Sequence, residues 1–155
     1  MLARLQSLYL FLAALLAFSS MFFPFWYYTA DSLYVLQDFT PFPGAPPIHS
    51  ISLYLSGIVS PLTGILAIAT IFLYKNRSLQ GTLIFTMILL FLFDILSGLA
   101  AAHFMNQELI QSFGPDVEHS PGAGFFVLIP EPLLFWLARQ GVEKDEKIAS
   151  AYKRL

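Results

Sequence analysis

Two acidic residues stand where a carboxylate is hardest to keep. Asp94 lies in the apolar run from Leu79 to Ala102 and Glu131 in the run from Pro121 to Ala138, and neither run holds another charged side chain. An ionised Asp at the centre of a membrane helix costs about 2.5–3.5 kcal/mol. Such a residue turns toward a bundle interior or a cavity, or carries a proton, and it is a candidate for handling protons or cations. The plainer expectation is that each carboxyl is protonated or hydrogen-bonded to Ser, Thr or a freed carbonyl. Pro130 and Pro132 flank Glu131. They remove two amide donors, so carbonyls one turn earlier lose their partners. At ~1.5 Å per residue, Asp94 lies ~22 Å and Glu131 ~12 Å from the inner ends of their runs. That count places the two acids ~10 Å apart in depth, too far to touch but not for a relay through water or a third group.

Other chemistry is thinly represented. His49, His103 and His119 fall at the ends of apolar runs without a ligand spacing such as HxxxH, and Asp116 and Glu118 share a Gly/Pro-containing segment with His119. They read as solvated interface histidines, and no metal site is expected. No GxSxG, HExxH or phosphate-binding Gly loop is present, and no basic–aromatic interleaving. The chain has no cysteine, which excludes disulfides, thiolate metal sites and the membrane thiol oxidoreductases that need paired cysteines. The first apolar run has no acid, which argues against the small multidrug exporters that rely on one there. No enzymatic activity and no cofactor are expected.

The elements that must position these groups are helices of membrane length. The chain has 155 residues, 57% of them hydrophobic and 12% charged, with a mean hydropathy of +0.68. A soluble domain is about 45–50% apolar. All eight Lys and Arg residues fall at Arg4, at Lys75 and Arg77, and from Arg139 to Arg154. Basic residues near span ends are kept on the cytoplasmic side. The pattern predicts an all-α integral-membrane bundle of four transmembrane helices, two antiparallel hairpins with both termini inside. Spans are expected at about 5–28, 51–74, 79–102 and 121–138, followed by a charged cytoplasmic helical tail, 139–155, within a single membrane domain. The outer loops carry Asp31, Asp38, Glu108, Asp116 and Glu118 and no base. A cleaved signal peptide is disfavoured because the first apolar run continues past Ala17-Phe18-Ser19. Ser56, Ser60 and Gly64 recur every four residues, as do the small residues Ser97, Gly98, Ala101 and Ala102 around one face of the third span. Such stripes let another helix approach closely.

Three segments carry a resemblance: RLQSLYLFLAALL (Arg4 to Leu16), IFLYKNRSLQ (Ile71 to Gln80) and VEKDEKIASAYKRL (Val142 to Leu155). In order and spacing they resemble a small bacterial integral-membrane family catalogued only as a domain of unknown function. The resemblance covers nearly the whole chain. It implies four spans, an inner-membrane location and no assigned activity, and it assigns no role to Asp94 or Glu131.

The functional reading is a non-enzymatic accessory or structural subunit of the inner membrane. Its partner face would gather Arg4, Lys75, Arg77, Lys144, Asp145, Glu146 and Lys147 at the cytoplasmic ends of the hairpins, with Asp145 and Glu146 against Lys75 and Arg77. The alternative is a small proton- or cation-coupled transporter using Asp94 and Glu131. Partners are then the lipid bilayer and a membrane-protein complex or homo-oligomer. Nucleic acid is not expected, because the bases are few and split over three short segments.

Overall fold

The computed structural model describes residues 5–152, of Tyr152 only the backbone. The chain runs α1 (Leu5–Ser20), β1 (Trp26–Thr29), β2 (Leu33–Leu36), α2 (Pro47–Phe72), α3 (Arg77–Phe113), β3 (Glu118–Pro121), α4 (Ala123–Leu128) and α5 (Glu131–Tyr152). Three helices are long and apolar enough to cross a membrane: α2, α3, and the nearly continuous Ala123–Ala151 that joins α4 to α5. α1 is apolar but shorter. Its 16 residues reach ~24 Å, against a hydrocarbon core of ~30 Å.

The long helices bury polar side chains and expose large apolar ones. On α2 the buried side includes Ser52, Ser56, Ser60, Thr63 and Thr70, while Ile51, Ile58, Ile65 and Phe72 are exposed. α3 exposes Phe85, Leu89, Leu92, Phe93 and Leu96, and α5 exposes Leu133 and Trp136. In water so much exposed apolar surface would drive association. In lipid, large apolar side chains are solvated, and small or hydroxylated ones pack the helix seams. The helices therefore carry the distribution of membrane-spanning ones.

The expected all-α class needs one correction, for the bundle carries a three-stranded antiparallel sheet of order β2-β1-β3. The first helix was expected to reach Tyr28, yet it stops at Ser20. Pro24 lacks an amide and pushes the residue before it toward extended backbone. The aromatic run beyond it suits a strand, where alternate rings face one side. Phe25 and Tyr28 are buried and Trp26 is half-buried. Trp26 pairs with Leu36 and Pro121, and Tyr28 with Tyr34 and His119. Gly122 and Gly124 then donate their amides to the carbonyls of Phe25 and Pro24, both at 2.9 Å. A Cβ on Gly122 would lie 2.2 Å from the Pro24 carbonyl oxygen, so this junction requires glycine.

Two further boundaries move. The third helix continues past Ala102 to Phe113, because Met105 and Leu109 are buried in the core beneath the sheet. The fourth breaks between α4 and α5, and α5 runs through Arg139 without interruption. At the opposite end from the sheet, Asn76 caps α3 by accepting the Leu79 amide at 3.1 Å.

Two apolar clusters fill the bundle. One, at the sheet end, gathers Phe25, Tyr28, Leu36, Leu53, Phe91 and Leu109, and the other gathers Leu10, Ala14, Ala67, Ile84, Met87 and Phe135. The small-residue stripes, expected as helix seams, also serve as sockets for rings. Phe18 lies over Gly64, Phe25 over Gly98 and Phe39 over Gly57. Phe39 adopts φ 62° to reach its socket, a left-handed conformation unusual for a bulky residue.

Candidate functional site

Between the two apolar clusters lies a belt of buried polar side chains. Asp94 on α3 is 3% exposed and accepts a 2.6 Å hydrogen bond from the Ser56 hydroxyl on α2. Ser60, one turn along α2, is also within reach of the Asp94 carboxyl. Ser60 and Ser20 lie 2.9 Å apart, and both reach the Ala17 carbonyl of α1. Each hydroxyl has a single proton, so Ser20 and Ser60 have two protons for four contacts, the one to Asp94 included. The belt thereby links α1, α2 and α3.

Glu131, the first residue of α5, enters the same level from the other side and is 2% exposed. Its Oε1 has no hydrogen-bond partner among the described residues. The flanking prolines leave no amide at positions 130 and 132, and the helix resumes with the Leu134 amide on the Pro130 carbonyl at 3.1 Å. Asp94 and Glu131 lie within electrostatic reach of each other without a hydrogen bond between them. Counting inward from charged ends had set them ~10 Å apart in depth, and the structure corrects this. The Arg139 guanidinium lies 5.5 Å from the centre of the Phe85 ring, so Arg139 is level with Phe85 and not with the start of α3. α3 and α5 run antiparallel, and eight residues from that level lead to Glu131 on one and Phe93 on the other, beside Asp94.

A third carboxyl approaches from the sheet end. Asp38, in the segment between β2 and α2, interacts electrostatically with Asp94. Burial pushes the Asp38 carboxyl up from 3.8 to about 6. The sequence did not single out Asp38, Ser56 or Ser60 as site residues. The only signal was the four-residue spacing of the two serines, which packing alone would also produce.

Most of the expected cytoplasmic partner residues do gather at the end opposite the sheet. The Arg77 guanidinium donates to the Asp145 main-chain carbonyl, tying the start of α3 to the C-terminal half of α5. Lys75, Arg77 and Glu146 line an open cleft of about 700 Å³ there. A smaller one, about 320 Å³, continues between α3 and α5 past Gly81 and Phe85 to Arg139. Arg139 pairs with Glu143 at 2.9 Å. Lys144 and Lys147 are exposed on α5, outside both clefts. Arg4 lies outside the described residues.

The histidines divide. His49, expected at a solvated interface, is fully buried. Its Nε2 accepts the Phe42 amide at 3.1 Å, so its Nδ1–H donates to the Ala101 carbonyl at 2.9 Å. Both nitrogens are spent on tying the segment before α2 to α3. His103 and His119 are exposed beside a pocket of about 190 Å³ that Trp26, Tyr28 and Asn106 also line. The Trp26 indole donates to His119 Nδ1 at 3.3 Å. Among the described residues no three His, Asp or Glu side chains converge as a metal site would require.

No curated protein and no solved structure matches the chain. A family model does, over residues 2–155, and it covers the segments at both ends that carry the resemblance as well as the carboxyl belt between them. The chain belongs to the family described as Domain of unknown function (DUF4293).

Proposed function

We propose that this protein is a non-enzymatic accessory subunit of the bacterial inner membrane, with four spans and both termini in the cytoplasm. Its partner surface is the cleft between the α2–α3 loop and α5. The observation that carries this reading is the tie from Arg77 to the Asp145 carbonyl. It folds the charged tail against the loop, where a tail that served only as a solubilising extension would project freely. The cleft presents Lys75, Arg77 and Glu146 side by side, a mixed charge pattern suited to an ion-paired protein interface. α1 spans with the help of the extended aromatic run that follows it.

The test is purification of the tagged full chain in mild detergent, followed by mass spectrometry and sizing. The expected result is a defined complex, lost in Arg77→Glu while the variant still folds. Recovery of the wild-type protein alone, at monomer mass, overturns the reading. Proton- or cation-coupled transport is the second reading. It is favoured by the interior acids Asp94 and Glu131, which have no basic residue in the apolar helical segments around them.

A further inference from the structure

Asp94 and Glu131 pose a charge problem that the chain does not solve with its own residues. Both are almost fully buried, at 3% and 2% exposure. No Lys or Arg occurs from Leu5 to Tyr74 or from Ser78 to Ala138. The nearest base along α5, Arg139, lies two turns away, paired with Glu143 and stacked on Phe85. His49, the histidine inside α2, has both nitrogens committed, one as donor and one as acceptor, as a neutral ring. Asp38, which interacts electrostatically with Asp94, is another acid. Two neighbouring carboxylates in an apolar interior cannot both remain ionised without a bound cation. The polar groups to hand are the hydroxyls of Ser20, Ser56 and Ser60, and no third His, Asp or Glu completes a metal shell among the described residues.

We infer that the Glu131 carboxyl, buried beside Asp94, is a binding site for one exchangeable proton. The hydrogen bonding assigns the roles. Asp94 receives the Ser56 hydroxyl, a donor that suits an ionised oxygen. Glu131 has an oxygen with no donor among the described residues, which a neutral acid tolerates far better than a carboxylate does. Binding is a simple transfer: hydronium gives its proton to the Glu131 carboxylate and leaves as water, and deprotonation reverses it. Asp94 and the hydroxyls of Ser20, Ser56 and Ser60 are the polar groups grouped in the same belt. The site stands whether or not the protein transports anything, and it is independent of the partner cleft at the other end of the molecule.

Infrared difference spectroscopy on the full chain in lipid vesicles tests this. Acid-minus-alkaline spectra are expected to show the carbonyl stretch of a protonated carboxyl in an apolar setting. That band should shift in deuterium oxide and vanish in Glu131→Gln. In Asp94→Asn it should be lost at a different pH, because the neighbouring charge is gone. A band insensitive to pH and to deuterium would mean a static acid and overturn the proposal. A band abolished at constant pH by sodium but not by choline would mean a metal cation as occupant, and would overturn it too. Absence of the band would do the same. Should Glu131→Gln fail to fold, dicyclohexylcarbodiimide assigns the residue in the wild type. The acid's O–H adds across one C=N bond to give an O-acylisourea, whose acyl group shifts from oxygen to nitrogen to leave a stable N-acylurea, so an adduct mapped to Glu131 that declines as pH rises is expected. An adduct mapped only to another carboxyl defeats the assignment.

Discussion

Tyr28 marks where a single hydroxyl earns its place. The ring is buried, and its hydroxyl donates to the Ala102 carbonyl at 2.6 Å, joining β1 to α3. Tyr28→Phe keeps the ring and deletes one donor, so thermal unfolding in detergent should register a loss of about 1 kcal/mol. Asp38 behaves differently, because burial raises its carboxyl from 3.8 to about 6. Between those values the folded state binds more proton than the unfolded chain, so stability falls as pH rises through that window, and the cost is complete above about 6. Asp38→Asn should flatten that stretch of the stability curve. At neutral pH it should stabilise the protein by about 1 kcal/mol, discounted for partial exposure, and the advantage should disappear in acid. A variant less stable than wild type at neutral pH would show that the carboxylate has a partner worth more than its burial costs. Asp94 and Glu131 were legible in the sequence because a charge inside an apolar run has no ordinary explanation. Ser56 was not, since a serine that packs a seam and one that solvates a carboxyl occupy the same helical position.

At the scale of elements, the four apolar segments were legible and their ends were not. Hydropathy reports what lipid or core tolerates, and the aromatic run after Pro24 satisfies that test equally as helix and as strand. The paired partner of β1 at Glu118–Pro121 is 89 to 95 residues away, and nothing local announces it. The same blindness misplaced Glu131. The inner end of the fourth span was expected at residue 138, level with the start of α3, whereas Arg139 lies beside Phe85, further along α3. The join between strand and helix gives the sharpest test of the observed fold. Gly122→Ala would put a methyl 2.2 Å from the Pro24 carbonyl oxygen, and backbone cannot yield as a flexible side chain can. Its expected outcome is loss of the sheet and of monodisperse protein. Gly98→Ala meets only the Phe25 ring, at 2.7 Å, and should fold with a cost of about 1–3 kcal/mol. Equal tolerance of both substitutions would contradict the packing of the aromatic run on the α4 junction.

For the whole molecule, the decisive property is that many large apolar side chains of the helices face outward while hydroxyls and carboxyls are buried. Burial of Ser, Thr, Asp and Glu beneath exposed Ile, Leu and Phe reverses the arrangement of a soluble bundle and leaves lipid as the natural solvent for the helices. Orientation is a separate matter, decided by charge. The α2–α3 loop and the α5 tail share one end and carry Lys75, Arg77, Lys144 and Lys147, while the sheet end carries Asp31, Asp38, Asp116 and Glu118. Retention of basic residues in the cytoplasm predicts the first end inside and the second outside. The absence of native cysteine makes the experiment clean, since any introduced thiol is the sole target. Asp116 lies in the exposed turn before β3 and Lys147 on the exposed face of α5, so a cysteine at either site should leave the fold intact. In whole cells made permeable only at the outer membrane, a membrane-impermeant maleimide should label Asp116→Cys at once. It should reach Lys147→Cys only after the inner membrane is opened. Labelling of both from the same side would break the odd number of crossings between them, and with it the fourth span. The reverse pattern would keep the fold and invert it, moving the Arg77–Asp145 cleft to the wrong compartment for a cytoplasmic partner.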